Sequence, residues 1–114
     1  MITLAATVPH RDFLEAMLAR HYTPAATPTV LITTDPHTPV VDTVARIILI
    51  TDDPLPSTTP TVLPTLVIGR TALPDAAHVR LATTHPAELL SVIDGYLRHP
   101  ERFPVGATTA AARV

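Results

Sequence analysis

The chain has 114 residues, no cysteine, and a formal net charge of −2 from eight basic and ten acidic residues. That length fits one domain able to bury a core of its own, and the missing thiols exclude disulfides, cysteine nucleophiles and cysteine-ligated metal. The balanced charge offers no field to attract nucleic acid or an anionic membrane, and since every basic residue is arginine, Schiff-base and P-loop lysine chemistry are excluded as well.

Met1-Ile2-Thr3-Leu4-Ala5-Ala6 lacks the basic start of a secretory signal. Ile2 to Thr7 reads as a short buried strand, and Pro9 suits the first turn of a helix, where its missing N–H costs nothing. From His10 to Tyr22 the apolar residues Phe13, Leu14, Met17, Leu18 and Tyr22 recur at helical spacing, with Arg11, Asp12, Glu15 and Arg20 mostly off that stripe. Thr23 to Pro28 is a connector of Pro, Ala and Thr. Thr29-Val30-Leu31-Ile32-Thr33 is a second, β-branched strand stopped by Asp35-Pro36. Thr38-Pro39 then resembles a cap followed by a first-turn proline, with Val40, Val41 and Val44 on one face of a short helix.

Arg46 to Thr51 contains Ile-Ile-Leu-Ile, a run without alternation, which suits a strand covered on both faces of a parallel sheet. The longest apolar stretch, Val44 to Ile50, is broken by Arg46 and too short to span a bilayer, so no membrane association is expected and cytoplasm is the expected compartment. Asp52 to Pro64 is too proline-rich for a helix and reads as a long surface loop. Thr65 to Ile68, ended by Gly69, is a fourth strand, and His78 to Thr83 a fifth. Thr84 is placed to cap a last helix that has Pro86 and Glu88 in its first turn, Leu89, Leu90, Val92, Ile93, Tyr96 and Leu97 on its apolar face, and Arg98-His99 before Pro100.

This order predicts a single small α/β domain over 1–103, of Rossmann-like or flavodoxin-like class. It would have about five mostly parallel strands in a doubly wound sheet, two clear helices and one short helix. The thin connections between the third, fourth and fifth strands leave room for an antiparallel edge. Residues 104–114 are expected to form a flexible tail, polar and small from Gly106 onward.

In open parallel sheets ligands bind beyond the carboxyl ends of the strands. The polar residues there make Asp35, His37, Asp52, Asp53, Arg70 and His85 the candidate ligand-binding set, with Thr7, His10, Thr34, Gly69 and Thr84 beside them. The same residue types are also what turns select for backbone reasons. Asp35-x-His37 with Asp52-Asp53 offers oxygen and imidazole ligands to a divalent metal, at a spacing that matches no specific motif. Arg70 with the start of the last helix could hold an anion. Ser57 and Ser91 are the only serines and no G-x-S-x-G elbow is present, so a hydrolytic triad is not expected. Six scattered histidines form no H-E-x-x-H pair, no cofactor is called for, and four aromatic residues are too few for a base-stacking platform.

Thr65-Leu66-Val67-Ile68-Gly69 and the segment from Val79 to Ile93 resemble the fourth strand, fifth strand and last helix of response-regulator receiver domains. His85-Pro86 stands where that family has Lys-Pro. Arg46 to Leu55 resembles the strand whose end carries the phospho-accepting aspartate, with Asp52 or Asp53 near that position. The family's acidic pair after the first strand is replaced by Ala5-Ala6-Thr7. The resemblance therefore implies a receiver-like scaffold without phosphoryl chemistry, acting as a non-enzymatic protein-interaction or oligomerisation module whose partner is another protein or itself. Leu90, Ile93 and Leu97 are the candidate interface, or else ordinary core. Two rivals remain: a small-ligand or metal-binding protein or hydrolase using the strand-end set, and a virion or assembly component docking through Pro54–Pro64.

Overall fold

The computed structural model describes residues 2–20, 29–35, 37, 44–51, 63–70, 72–80 and 85–110. In chain order these form β1 (Ile2–Leu4), α1 (Arg11–Ala19), β2 (Thr29–Thr33), β3 (Val44–Ile50), β4 (Thr65–Ile68), β5 (Ala77–Arg80), α2 (Pro86–Arg98), a 3-10 turn (Pro100–Arg102) and β6 (Thr108–Ala110). The class is the small α/β fold expected, with every strand pair parallel, so no described strand runs antiparallel at an edge. The strand order is β1-β2-β3-β4-β5-β6. The sheet therefore advances in one direction and is not doubly wound, and it has no point where the strand order reverses.

Strand alternation sorts the core. Leu4, Val30, Ile32, Ile48, Ile50, Leu66, Ile68 and Val79 share one cluster with Leu14 and Leu18 of α1 and Leu89, Val92, Ile93 and Tyr96 of α2. Both helices thus lie on one face. The opposite face holds Leu31, Val44 and Ile47 with Leu63 packed on them, and separately Leu49 and Val67 with Leu73 and Ala76. This double cover explains why β3 and β4 read as unbroken apolar runs. Leu73 and Ala76 belong to the 69–76 connection, so that crossover lies opposite the helical ones while moving the sheet the same way.

A bulge shapes β3. Thr29 pairs with Val44, but Val30 pairs with Arg46. The extra residue lets Val44 join the face opposite the helices while Arg46 still reaches the helical face. There its guanidinium lies 5.5 Å from the Tyr96 ring centroid and Nη1 donates to the Tyr96 hydroxyl at 3.2 Å. Tyr96 in turn meets Phe103 edge to face, with centroids 5.6 Å apart. Val44 therefore opens a strand and is not part of the short helix expected near it; the rest of that helix, 38–43, falls outside the described residues.

The helices differ from expectation at their starts. α1 begins at Arg11, with Pro9 ahead of it and His10 as N-cap in the left-handed region at φ 54°. Leu14 and Leu18 are buried, but Phe13 is 41% exposed, because the nine-residue helix buries a narrower stripe than the sequence suggested. In α2 the N-cap is His85, whose side chain accepts from the Ala87 N–H, and Pro86 takes the first-turn position. Thr84 lies outside the described residues. Part of the expected tail is strand: Gly106 turns the chain at φ +80° and donates its N–H to the Ala76 carbonyl at 3.0 Å, and Thr108–Ala110 pairs with β5.

Candidate functional site

Because every strand points the same way, the carboxyl ends share one rim of the sheet. The Thr7 and Thr34 hydroxyls hydrogen-bond across the ends of β1 and β2. The Asp35 N–H donates to Thr33 Oγ1 at 3.2 Å, and Asp35 Oδ1 accepts from the His37 N–H at 2.9 Å. The latter is an Asx turn, which occupies a carboxylate oxygen with backbone work. Both side chains remain exposed. Arg70 is exposed just after β4, and His85 is exposed with Nδ1 accepting from the Ala87 N–H at 3.2 Å. Asp52 and Asp53 lie outside the described residues, as does the Pro54–Pro64 segment apart from Leu63 and Pro64. Among the described residues no three His, Asp or Glu side chains gather as metal ligands. No helix is long and apolar enough to cross a membrane, again among the described residues.

The α2 stripe is divided between full and partial burial. Ile93 is wholly buried, and Leu90 and Leu97 are half-buried against the same cluster.

Four buried polar residues that the sequence pattern did not single out lie on the face opposite the helices: Thr33, Thr51, Thr65 and His78. Each belongs to the alternation set that points away from α1 and α2. His78 is the most connected. Its Nε2 lies 2.8 Å from the Gly69 carbonyl and its Nδ1 2.8 Å from Thr108 Oγ1. A carbonyl only accepts, so Nε2 carries a proton, and in the neutral ring Nδ1 accepts from the Thr108 hydroxyl. One side chain thereby ties the end of β4, the middle of β5 and the start of β6. Alternation in Ala77-His78-Val79-Arg80 was the available signal. Its partner Thr108 was invisible while that segment was read as tail.

The two margins of the sheet are built differently. In a strand, a residue's N–H and C=O point to the same side, and successive residues alternate. The Ala5 N–H donates to the Ile32 carbonyl, so Leu4 directs its own groups outward from β1. That outward Leu4 carbonyl accepts from Arg11 Nε at 3.3 Å, and the Arg11 guanidinium is held by Glu15 at 3.3 Å and Asp12 at 3.9 Å. At the other margin the His78 N–H donates to the Ala107 carbonyl, so Thr108 and Ala110 direct their backbone groups away from β5. No described strand pairs with them there. Val105, 65% exposed, stands at the root of this open margin.

No family profile, no curated protein and no solved structure matches the chain.

Proposed function

We propose that the chain is a non-enzymatic protein-interaction or oligomerisation module. The observation carrying this reading is the inequality of the two sheet margins. An unpaired row of backbone N–H and C=O groups is a template for another strand, and proteins ordinarily blunt it. Here Arg11 covers one of the outward carbonyls of β1, that of Leu4, while no described strand or side chain bonds the outward groups of Thr108 and Ala110 in β6. A module that recognises by strand addition takes affinity from main-chain hydrogen bonds and needs no catalytic constellation. The strand-end polar groups fit the same reading, since Asp35, His85 and the Thr7–Thr34 pair serve turns, a helix cap and one another.

The test is a melting-temperature screen against divalent metals, nucleotides and acetyl phosphate. The expected result is no shift with any of them. A shift of several degrees that vanishes in Asp52→Ala or Asp53→Ala overturns the reading in favour of a ligand site at the carboxyl rim.

A further inference from the structure

We infer that residues 104–110, β6 with the turn that leads into it, form a strap that opens from β5 as a unit while the rest of the sheet stays folded. The bond between His78 and Thr108 is its catch. This goes beyond the interaction-module reading and does not depend on it.

The first argument is what holds the strap. Phe103 is buried against Tyr96 and anchors the chain to the helical core. Over 104–108 every residue is exposed, so this stretch adds no buried apolar side chain. Its attachments are polar. Gly106 donates its N–H to the Ala76 carbonyl at 3.0 Å, the Ala107 carbonyl accepts from the His78 N–H at 3.2 Å, and Thr108–Ala110 pairs with β5. The strands behind it are held differently, since Ile48, Leu66, Val67, Ile68 and Val79 are all buried. Segments with few buried apolar contacts open at a free energy below that of global unfolding. β3, β4 and β5 open only with loss of core, whereas the strap opens with loss of hydrogen bonds.

The second argument is the catch. His78 is buried, and its Nε2–H donates to the Gly69 carbonyl at 2.8 Å, so the ring stays with β4 and β5 when the strap leaves. Its Nδ1 takes its partner from the strap, the Thr108 hydroxyl at 2.8 Å. A buried acceptor that loses its donor costs more than the net worth of the bond, so the ring favours closure. The joint lies between buried Phe103 and Gly106, whose φ of +80° glycine adopts without strain. The fold thereby has two edge states. The closed one ends on β6, and the open one ends on β5 with the His78 N–H bared and neither helix disturbed.

The test is native-state hydrogen exchange of the whole chain, followed amide by amide. The His78 and Gly106 amides report the strap. Those of Thr51 and Gly69, bonded to the Ile68 and Val79 carbonyls, report the core. Protection at His78 and Gly106 is expected to be at least about tenfold lower than at Thr51 and Gly69, and insensitive to low denaturant. Ile68→Val destabilises the open and closed states alike. It is expected to lower core protection about three- to tenfold and leave the strap amides unchanged. Thr108→Val keeps the shape and removes the hydroxyl. It is expected to lower protection of His78 and Gly106 about fivefold, with Thr108→Ser restoring it.

Equal protection at the four amides, or strap amides that follow the core in Ile68→Val, overturns the proposal, because β6 then opens only with the whole sheet. His78 and Gly106 amides without protection also overturn it, since the strap is then not closed. Unchanged strap exchange in Thr108→Val removes the catch. The interaction-module reading fails separately, on a ligand-induced melting shift.

Discussion

Two single residues carry conformations that their neighbours enforce. Gly106 sits at φ +80°, and a Cβ placed there would meet the Pro74 carbonyl oxygen at 3.3 Å. Glycine is required on both counts, by the dihedral and by the close approach. Gly106→Ala is expected to lower stability by about 1–2 kcal/mol, read as a lower denaturant midpoint at unchanged slope. An unmoved midpoint would mean that the turn into β6 accepts a side chain at this position. His10 is the non-glycine counterpart at φ 54°. It stands as N-cap of α1 without a side-chain capping bond, and its carbonyl accepts from the Leu14 N–H at 3.0 Å. Histidine is among the residues that enter this region more readily than most.

At the scale of elements, the strands and the two long helices were legible because hydrophobic period is a direct readout of burial. Thr29–Thr33 and Thr65–Ile68 fall where the β-branched runs fall. The end of α2 follows its dipole-complementing Arg98, which is also bonded to Asp94 at 2.9 Å. What failed was anything set by tertiary contact. The bulge at β3, the burial of His78 and the pairing of β6 depend on neighbours distant in sequence, and a run of Gly, Ala and Thr carries no periodic signal. The candidate rim was legible in kind, since the polar residues do lie at the carboxyl ends. Which of them serve backbone bonds could be seen only once the turns were in place. The Arg46–Tyr96–Phe103 stack belongs to the same class. It joins β3, α2 and the segment after the 3-10 turn through a cation over a ring and an edge-to-face pair. Tyr96→Leu is expected to cost about 2–4 kcal/mol. A double-mutant cycle with Phe103→Leu should return a coupling of about 1 kcal/mol. Additive losses would mean the rings are neighbours without energetic contact.

Across the whole molecule, the unequal margins predict opposite outcomes for two surface changes. Arg11→Ala uncovers the Leu4 carbonyl and adds it to the outward groups that β1 already presents at Ile2. Rising light scattering is expected, because more of the β1 margin is then free to pair with another strand. Ala110→Pro in the same chain should suppress that assembly. If scattering persists in the double variant, it comes from exposed apolar surface and not from strand addition. The sequential strand order has a further consequence, for folding in time. Each strand pairs with the strand that precedes it in the chain, so no strand waits for a partner made later than the next one, although each parallel pair still closes a sizeable loop. A ribosome delivering this chain supplies strands in the order in which the sheet grows. Folding can then advance from β1 as synthesis proceeds, each new strand finding its neighbour already in place, as in a repeat array that zips from one end. The last described strand is β6, so its margin is completed only when the strands before it are there to carry it.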